Sequence, residues 1–182
     1  MDLETALIVI DMINDFVTGK LGFRGAVEIV PNIQRLLTAA RTKRVPVIYV
    51  CDAHSPVDQE MRVWGEHAIV GTEGSKVIPE LKPEKSEPVM PKQTYSIFHN
   101  TEPRGLLKKM GLKEVILTGV VTDICIQNSA AGAFFHGYTV VVPEDCVSSP
   151  DKKANKYSLD YMERVYGAKI TNSKELIKEW GK

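Results

Sequence analysis

Three side chains of this 182-residue chain, Asp11, Lys92 and Cys125, could together run thiol chemistry. The thiolate is the reactive form of cysteine, and a neighbouring cation or a helix N-terminus favours it. Lys92 supplies a cation, and Cys125 opens a helix-like run. A carboxylate such as Asp11 could take the thiol proton and later hand it to a departing amine. The turn leading into Cys125 offers backbone N–H groups to a developing oxyanion. Each residue also has an ordinary reading: a turn aspartate, a solvated lysine, a small core cysteine.

A second set is Asp52, His54 and His67. Asp52-Ala53-His54 places an oxygen and an imidazole two residues apart on an extended segment, and His67 could join from the following loop. Three protein ligands leave positions open for water and substrate, as catalytic zinc sites do. The competing reading is a turn aspartate with two surface histidines. His99 and His136 receive no functional role, and Cys51 and Cys146 suit structural positions. Gly71-Thr72-Glu73-Gly74 lacks the lysine and the strand–loop–helix context of a phosphate loop.

The elements that must carry these groups alternate. Leu7–Ile10 is a short apolar run suited to a strand buried on both faces. Pro31 opens a helical stretch to about Lys43, with Ile33, Leu36, Leu37 and Ala40 on one face. Val45–Cys51 is a second strand. Val57–Leu81 is irregular, with short helical pieces at most. Pro88–Lys92 is the third strand, Arg104–Met110 a short helix, and Val115–Val121 the fourth strand. A helix from Cys125 to Phe135, a strand over Tyr138–Val142 and a charged helix over Asp151–Val165 follow. Lys169–Thr171 is a weak sixth strand, and Ser173 caps the last helix.

Such alternation predicts an α/β fold, a mostly parallel sheet with helices on both faces. Ligands of open parallel sheets bind beyond the strands' carboxyl ends, where strand order reverses. Asp11, the Asp52/His54 pair, Lys92 and Cys125 all fall at such ends. The coincidence outweighs any one residue, because the fold and not the residues chose the filter.

Composition narrows the class. The length suits one domain over residues 1–182. Lys plus Arg equals 23, as does Asp plus Glu, so no charge excess points to nucleic acid. Apolar runs are too short to span a bilayer, and no secretory leader is read. Three cysteines in no framework spacing fit a reducing, cytoplasmic location.

These residues carry a family resemblance. Val9-Ile10-Asp11-Met12 with Asp15-Phe16, Asp52-Ala53-His54, Trp64-Gly65-Glu66-His67 and Gly71–Gly74 mark it in the first half. Lys92-Gln93-Thr94-Tyr95-Ser96-Ile97-Phe98 and Gly119-Val120-Val121-Thr122-Asp123-Ile124-Cys125 mark it in the second. The chain resembles the isochorismatase-like cysteine hydrolases, which include nicotinamidases and N-carbamoylsarcosine amidases. The resemblance implies a three-layer fold with a six-stranded sheet, and an Asp11–Lys92–Cys125 triad. It implies a cis peptide between Val120 and Val121, and an oxyanion hole from the N–H groups of Val121 and Cys125. It also implies a divalent metal, zinc in most cases, on Asp52, His54 and His67, and a homo-oligomer. The chain departs from nicotinamidases at Trp64-Gly65-Glu66-His67-Ala68, where those carry Trp-Pro-x-His-Cys. It also has a short segment between His54 and Trp64.

The expected activity is hydrolysis of the C–N bond of a small amide or carbamoyl compound through a Cys125 thioester. Nicotinamide stands ahead of an N-carbamoyl amino acid as substrate. Phe16, Trp64 and Tyr95 are candidate pocket walls. The rivals are a non-catalytic metal- or ligand-binding module on the same fold, and a redox thiol protein, for which no Cys-x-x-Cys is present.

Overall fold

A computed structural model describes residues 4–99 and 103–181. Its centre is a parallel sheet of β1 (Thr5–Ile10), β2 (Val47–Asp52), β3 (Val89–Lys92), β4 (Glu114–Val120), β5 (Thr139–Pro143) and β7 (Lys169–Thr171). The order across the sheet is β3-β2-β1-β4-β5-β7, and two residues more, β6 (Val147–Ser148), pair with the end of β4. The expectation of six strands is met, with one short strand added. Val147 and Ser148 are too few to show a period in sequence.

Helices cover both faces, as buried parallel strands require. Alternate residues of β1 divide between them. Leu7 and Val9 pack with Ile33, Leu36 and Leu37 of α2 (Arg24–Lys43) and Leu176 of α7 (Ser173–Trp180). Ala6, Ile8 and Ile10 face α4 (Pro103–Lys109), α5 (Gln127–Phe135) and α6 (Lys152–Tyr166), meeting Leu107, Ala130, Leu159 and Met162. Each such aliphatic side chain contributes about 1.5–3 kcal/mol relative to exposure.

Three local expectations are corrected. Pro31 lies inside α2 rather than at its start, and the helix begins at Arg24, burying Ala26, Ile29 and Val30 first. Packing of that first turn on the sheet outweighs the hydrogen bond that Pro31 cannot donate. The last helix is capped by Asn172, whose side chain accepts the Glu175 N–H, while Ser173 donates to Asp145. Cys125 does not begin an α-helix: it sits in a π-helical turn, Thr122–Ile126, ahead of α5. The segment 57–81 holds only α3 (Met61–Trp64) and a 3₁₀ turn, Pro79–Leu81. No helix among the described residues is long and apolar enough to cross a membrane.

Chain order runs outward from β1 through β2 to β3, then returns to β4 on the other side of β1. The switch point is therefore the crevice between the carboxyl ends of β1 and β4. Gly119 lets those strands close up. Its φ is +112°, and a Cβ there would overlap the Ile10 carbonyl oxygen.

Candidate active site

Strand ends deliver the groups in register. Asp52 and Lys92 are the last residues of β2 and β3 and lie side by side in the pairing. Asp11 follows β1 directly, in the left-handed region at φ +56°, which aspartate tolerates better than most residues. Its backbone N–H donates to the Val50 carbonyl at 3.1 Å, and its Oδ1 accepts the Asp52 N–H at 2.8 Å. The Asp11 carboxylate is thus fixed to the adjacent strand.

Lys92 is the hub. Its Nζ is 2.7 Å from Asp11 Oδ2, 2.5 Å from Asp52 Oδ1 and 3.6 Å from Cys125 Sγ. All four residues are buried. The Asp11 contact is an ion pair and not an aligned hydrogen bond, since Oδ2 has no hydrogen-bond partner among the described residues.

The electrostatics separate the groups. Burial and the Asp52 charge raise the Asp11 carboxyl to about 6, against the pull of Lys92. Asp52 goes the other way: burial opposes its charge, but Lys92 and His54 outweigh that and hold it below the ordinary carboxylate value. Lys92 is raised by its carboxylates despite burial and stays charged. The Cys125 thiol is raised by burial and by the two aspartates, with Lys92 pulling against them. This corrects the expectation of a thiol lowered by lysine and helix dipole. The lysine's charge is shared with two carboxylates, and the thiol lies ahead of α5 in the π-turn.

The second cluster forms too, with a member the sequence reading missed. One ligand atom from each of Asp52, His54, Glu60 and His67 lies within 4.8 Å of all the others. His54 Nε2 is 3.5 Å from Asp52 Oδ2 and 3.7 Å from Glu60 Oε2. Those spacings are close to the roughly 3.3–3.5 Å between ligands around a tetrahedral zinc with bonds of about 2.0–2.1 Å. His54 Nδ1 donates to Asp58 Oδ2 at 3.1 Å, and His67 Nδ1 donates to the Gly65 carbonyl at 2.7 Å. Both hydrogen bonds leave the Nε2 lone pair for a ligand, the outer-sphere arrangement of metal-binding histidines. His54 Nε2 is buried without a hydrogen-bond partner, a position a cation would satisfy. Burial and Asp52 raise Glu60 to about 7. Burial would lower His54, but the neighbouring Asp52, Asp58 and Glu60 carboxylates raise it. The residues fit a divalent metal. Glu60 carried no spacing signal, because it arrives by a turn of the irregular segment.

Asp15 holds that segment in place. Its Oδ2 accepts the Ala68 N–H at 2.8 Å, and its own N–H donates to the Gly74 carbonyl at 3.0 Å. A Cβ on Gly74 would overlap the Asp15 carboxylate, which explains a glycine in the 71–74 run. The Ala68 carbonyl in turn accepts the His54 N–H at 2.9 Å, so His67 and His54 are brought together, with ring centroids 4.9 Å apart.

A cavity of about 360 Å³ opens above these groups. That lies near the lower end of small-molecule sites. Cys125, Asp52, Glu60 and His67 line it, together with Phe16, Trp64 and Tyr95. Trp64 Nε1 donates to the Tyr95 hydroxyl at 3.1 Å, which joins two of those walls. Val121 also lines the cavity and follows a cis Val120–Val121 peptide. Its carbonyl accepts the N–H groups of Ile124 and Ile126 and closes the π-turn that bears Cys125.

Cysteine, lysine and two aspartates thus meet at the switch point of a parallel sheet. The Isochorismatase domain family matches residues 5–175, and the chain belongs to the isochorismatase-like hydrolase family. It is 37% identical to the N-carbamoylsarcosine amidase of Thermoplasma acidophilum, with TM-score 0.88, over 93% of this chain and 96% of that one. It is 32% identical to Nicotinamidase 3 of Arabidopsis thaliana, over 85% of this chain and 78% of that protein. The zinc complex of Pyrococcus horikoshii pyrazinamidase superposes with TM-score 0.87 at 26% identity, over 93% of this chain and 99% of that one.

Proposed function

We propose that this protein is a cysteine amidohydrolase that cleaves the C–N bond of a small amide and releases ammonia. The observation that carries the reading is Lys92 Nζ within reach of Asp11, Asp52 and Cys125 Sγ at the wall of one cavity. The Cys125 thiol attacks the amide carbonyl carbon as its proton passes to Asp11, whose raised value suits both taking and returning a proton. The backbone N–H groups of Val121 and Cys125 receive the oxyanion. Asp11 then gives its proton to the leaving nitrogen, and ammonia departs from a Cys125 thioester. Water, deprotonated by Asp11, cleaves the thioester and restores the thiol. Lys92 keeps its charge throughout and holds the two aspartates.

Asp52, His54, Glu60 and His67 would hold a divalent metal, and Asp52 spans the two clusters, with Oδ1 toward Lys92 and Oδ2 toward His54. Two imidazoles and two carboxylates suit zinc, and also manganese or iron. When bound, the metal supplies a Lewis-acidic anchor that orients a heteroaromatic substrate.

The cavity favours a neutral aromatic amide of the nicotinamide type. Phe16, Trp64 and Tyr95 offer faces to a flat ring. Its described lining includes Asp52, Glu60, Asp123 and Asp151 but no lysine or arginine, which disfavours a carboxylate-bearing substrate. The second reading, hydrolysis of an N-carbamoyl amino acid, draws on the likeness to the Thermoplasma amidase and on the short segment after His54.

An ammonia-release screen over nicotinamide, pyrazinamide and N-carbamoyl amino acids tests the proposal. Cys125→Ala should lose several orders of magnitude of activity with unchanged melting, while Cys51→Ala keeps most of it. No ammonia from any of these amides, or a tenth of wild-type rate retained by Cys125→Ala, would sink the covalent mechanism.

A further inference from the structure

We infer that Asp123 is a specificity-determining residue of this site, accepting a hydrogen bond from an amino group that the substrate carries on the side away from the metal cluster. The inference rests on the amidohydrolase reading above and narrows its substrate class to a small ring amide with a second, N–H-donating nitrogen. The cavity has two polar ends, and the sheet sets them apart. Asp52, Glu60 and His67 enter it from β2 and the segment that follows, whereas Asp123, Ser149 and Asp151 enter it after β4 and β6. At Gly119 the end of β4 pairs with Ile10 of β1 on one edge and with Val147 of β6 on the other. The two-residue strand β6 thus carries Ser149 to the flank of β4 opposite β1 and β2. There the buried Ser149 hydroxyl donates to Asp123 Oδ1 at 2.6 Å.

Neither the triad nor the metal cluster uses these three side chains. Asp151 serves its own helix: its Oδ1 caps α6 by accepting the N–H groups of Lys153 at 2.7 Å and Ala154 at 3.3 Å. Ser149 spends its proton on Asp123. Asp123 itself is fixed through Oδ1, and its Oδ2 accepts no hydrogen bond among the described residues. No lysine or arginine shares the described lining with it, and Leu21, Phe23 and Ile124 do. A carboxylate held at one oxygen and open at the other, in such surroundings, is a strong acceptor for a substrate N–H. Asp123 stands two residues before Cys125 in the π-turn. Residues two apart on a helical turn lie roughly 5–6 Å apart at Cα and do not share a face. The group that Asp123 holds is therefore not the amide that Cys125 attacks but a second group on the same small molecule. On a pyridine carboxamide whose ring nitrogen turns to the metal cluster, it is the substituent at the other position meta to the amide.

Ammonia release from 5-aminonicotinamide and 5-methylnicotinamide, which match in shape and differ in the N–H donors, tests this. A hydrogen bond to a carboxylate should favour the amino compound in wild-type kcat/KM by roughly tenfold to a hundredfold, mostly through KM. Asp123→Ala should bring that ratio to within about threefold of one, and Ser149→Ala, which frees the carboxylate to turn, should lower it in the same direction. Damage to the fold lowers both rates together and leaves their ratio alone, so the ratio reports on Asp123 itself. Nicotinamide run alongside separates two failures. If nicotinamide is cleaved but the wild type shows no preference for the amino compound, or the preference survives Asp123→Ala, the role of Asp123 is refuted and the amidohydrolase reading stands. If none of the three compounds releases ammonia, the ring-amide reading falls and this inference with it.

Discussion

Replacing Lys92 with methionine keeps much of the stem volume and removes the charge that three groups share. In the wild type the ammonium stands 2.7 Å from Asp11, 2.5 Å from Asp52 and 3.6 Å from Cys125 Sγ, with all partners buried. Removing one partner of a buried ion pair costs roughly 3–5 kcal/mol, because the remaining charge is left uncompensated. Here the two aspartates can share a proton, so the stability loss should lie at or below the lower end of that range. The effect on the thiol is separate. An ammonium and a thiolate at 3.6 Å attract by roughly 4–5 kcal/mol at an effective dielectric of about 20. Even a third of that, lost, lowers the thiolate population by about tenfold. Lys92→Met should therefore react with iodoacetamide at Cys125 at least about tenfold more slowly at pH 8, with Cys51 and Cys146 silent in both proteins. Mass spectrometry of the labelled peptides against time gives the rate, and a urea melt gives the stability. An unchanged labelling rate in a folded Lys92→Met protein would refute the role of the lysine.

Metal uptake should depend on Glu60 as well as on the histidines: Glu60→Gln should weaken zinc about 10–100-fold in chelator competition, and His54→Ala should abolish stoichiometric binding. Asp58→Ala, which frees His54 Nδ1, should cost a similar 10–100-fold; full affinity in all three variants would dismiss the site. Gly119→Ala should destabilise by about 3 kcal/mol or more in urea unfolding, because it combines a positive φ with a clash against the Ile10 carbonyl. A loss under about 0.5 kcal/mol would mean that β1 and β4 do not close as described. Glu87 accepts two hydrogen bonds from Arg41, both 2.9 Å. Burial opposes its charge, but Arg41 wins and holds its carboxyl below the ordinary glutamate value of 4.5. A lowered folded-state value gives stability present above about 4.5 and lost as pH falls through the folded value. Glu87→Gln should thus cost about 1 kcal/mol at pH 7 and progressively less below pH 4 in parallel melts; an equal cost at both would show that the pair's charge is irrelevant.

The sequence by itself determined the strands and the groups at their ends. Continuous apolar runs of four to seven residues, alternating with amphipathic stretches, are the direct imprint of parallel strands buried on both faces. That is why Asp11, Asp52, Lys92 and Cys125 could be placed on one sheet edge before their contacts were known. Phe16, Trp64 and Tyr95 could be named from sequence only as candidate pocket walls, with a core position equally open to each, and the structure sets them along the cavity. What only the tertiary structure decided depends on contacts distant in the chain. Glu60 reaches the histidines on an irregular segment that is tied back to Asp15 at Ala68 and Gly74, a path with no periodicity to read. The start of α2 is set by burial of Ala26, Ile29 and Val30 against the sheet, which overrides the local signal of Pro31. The state of the Cys125 thiol was beyond sequence for the same reason. The types of its neighbours are legible, but their balance is not. Burial and two carboxylates within reach of one lysine decide it, and burial is a property of the folded molecule.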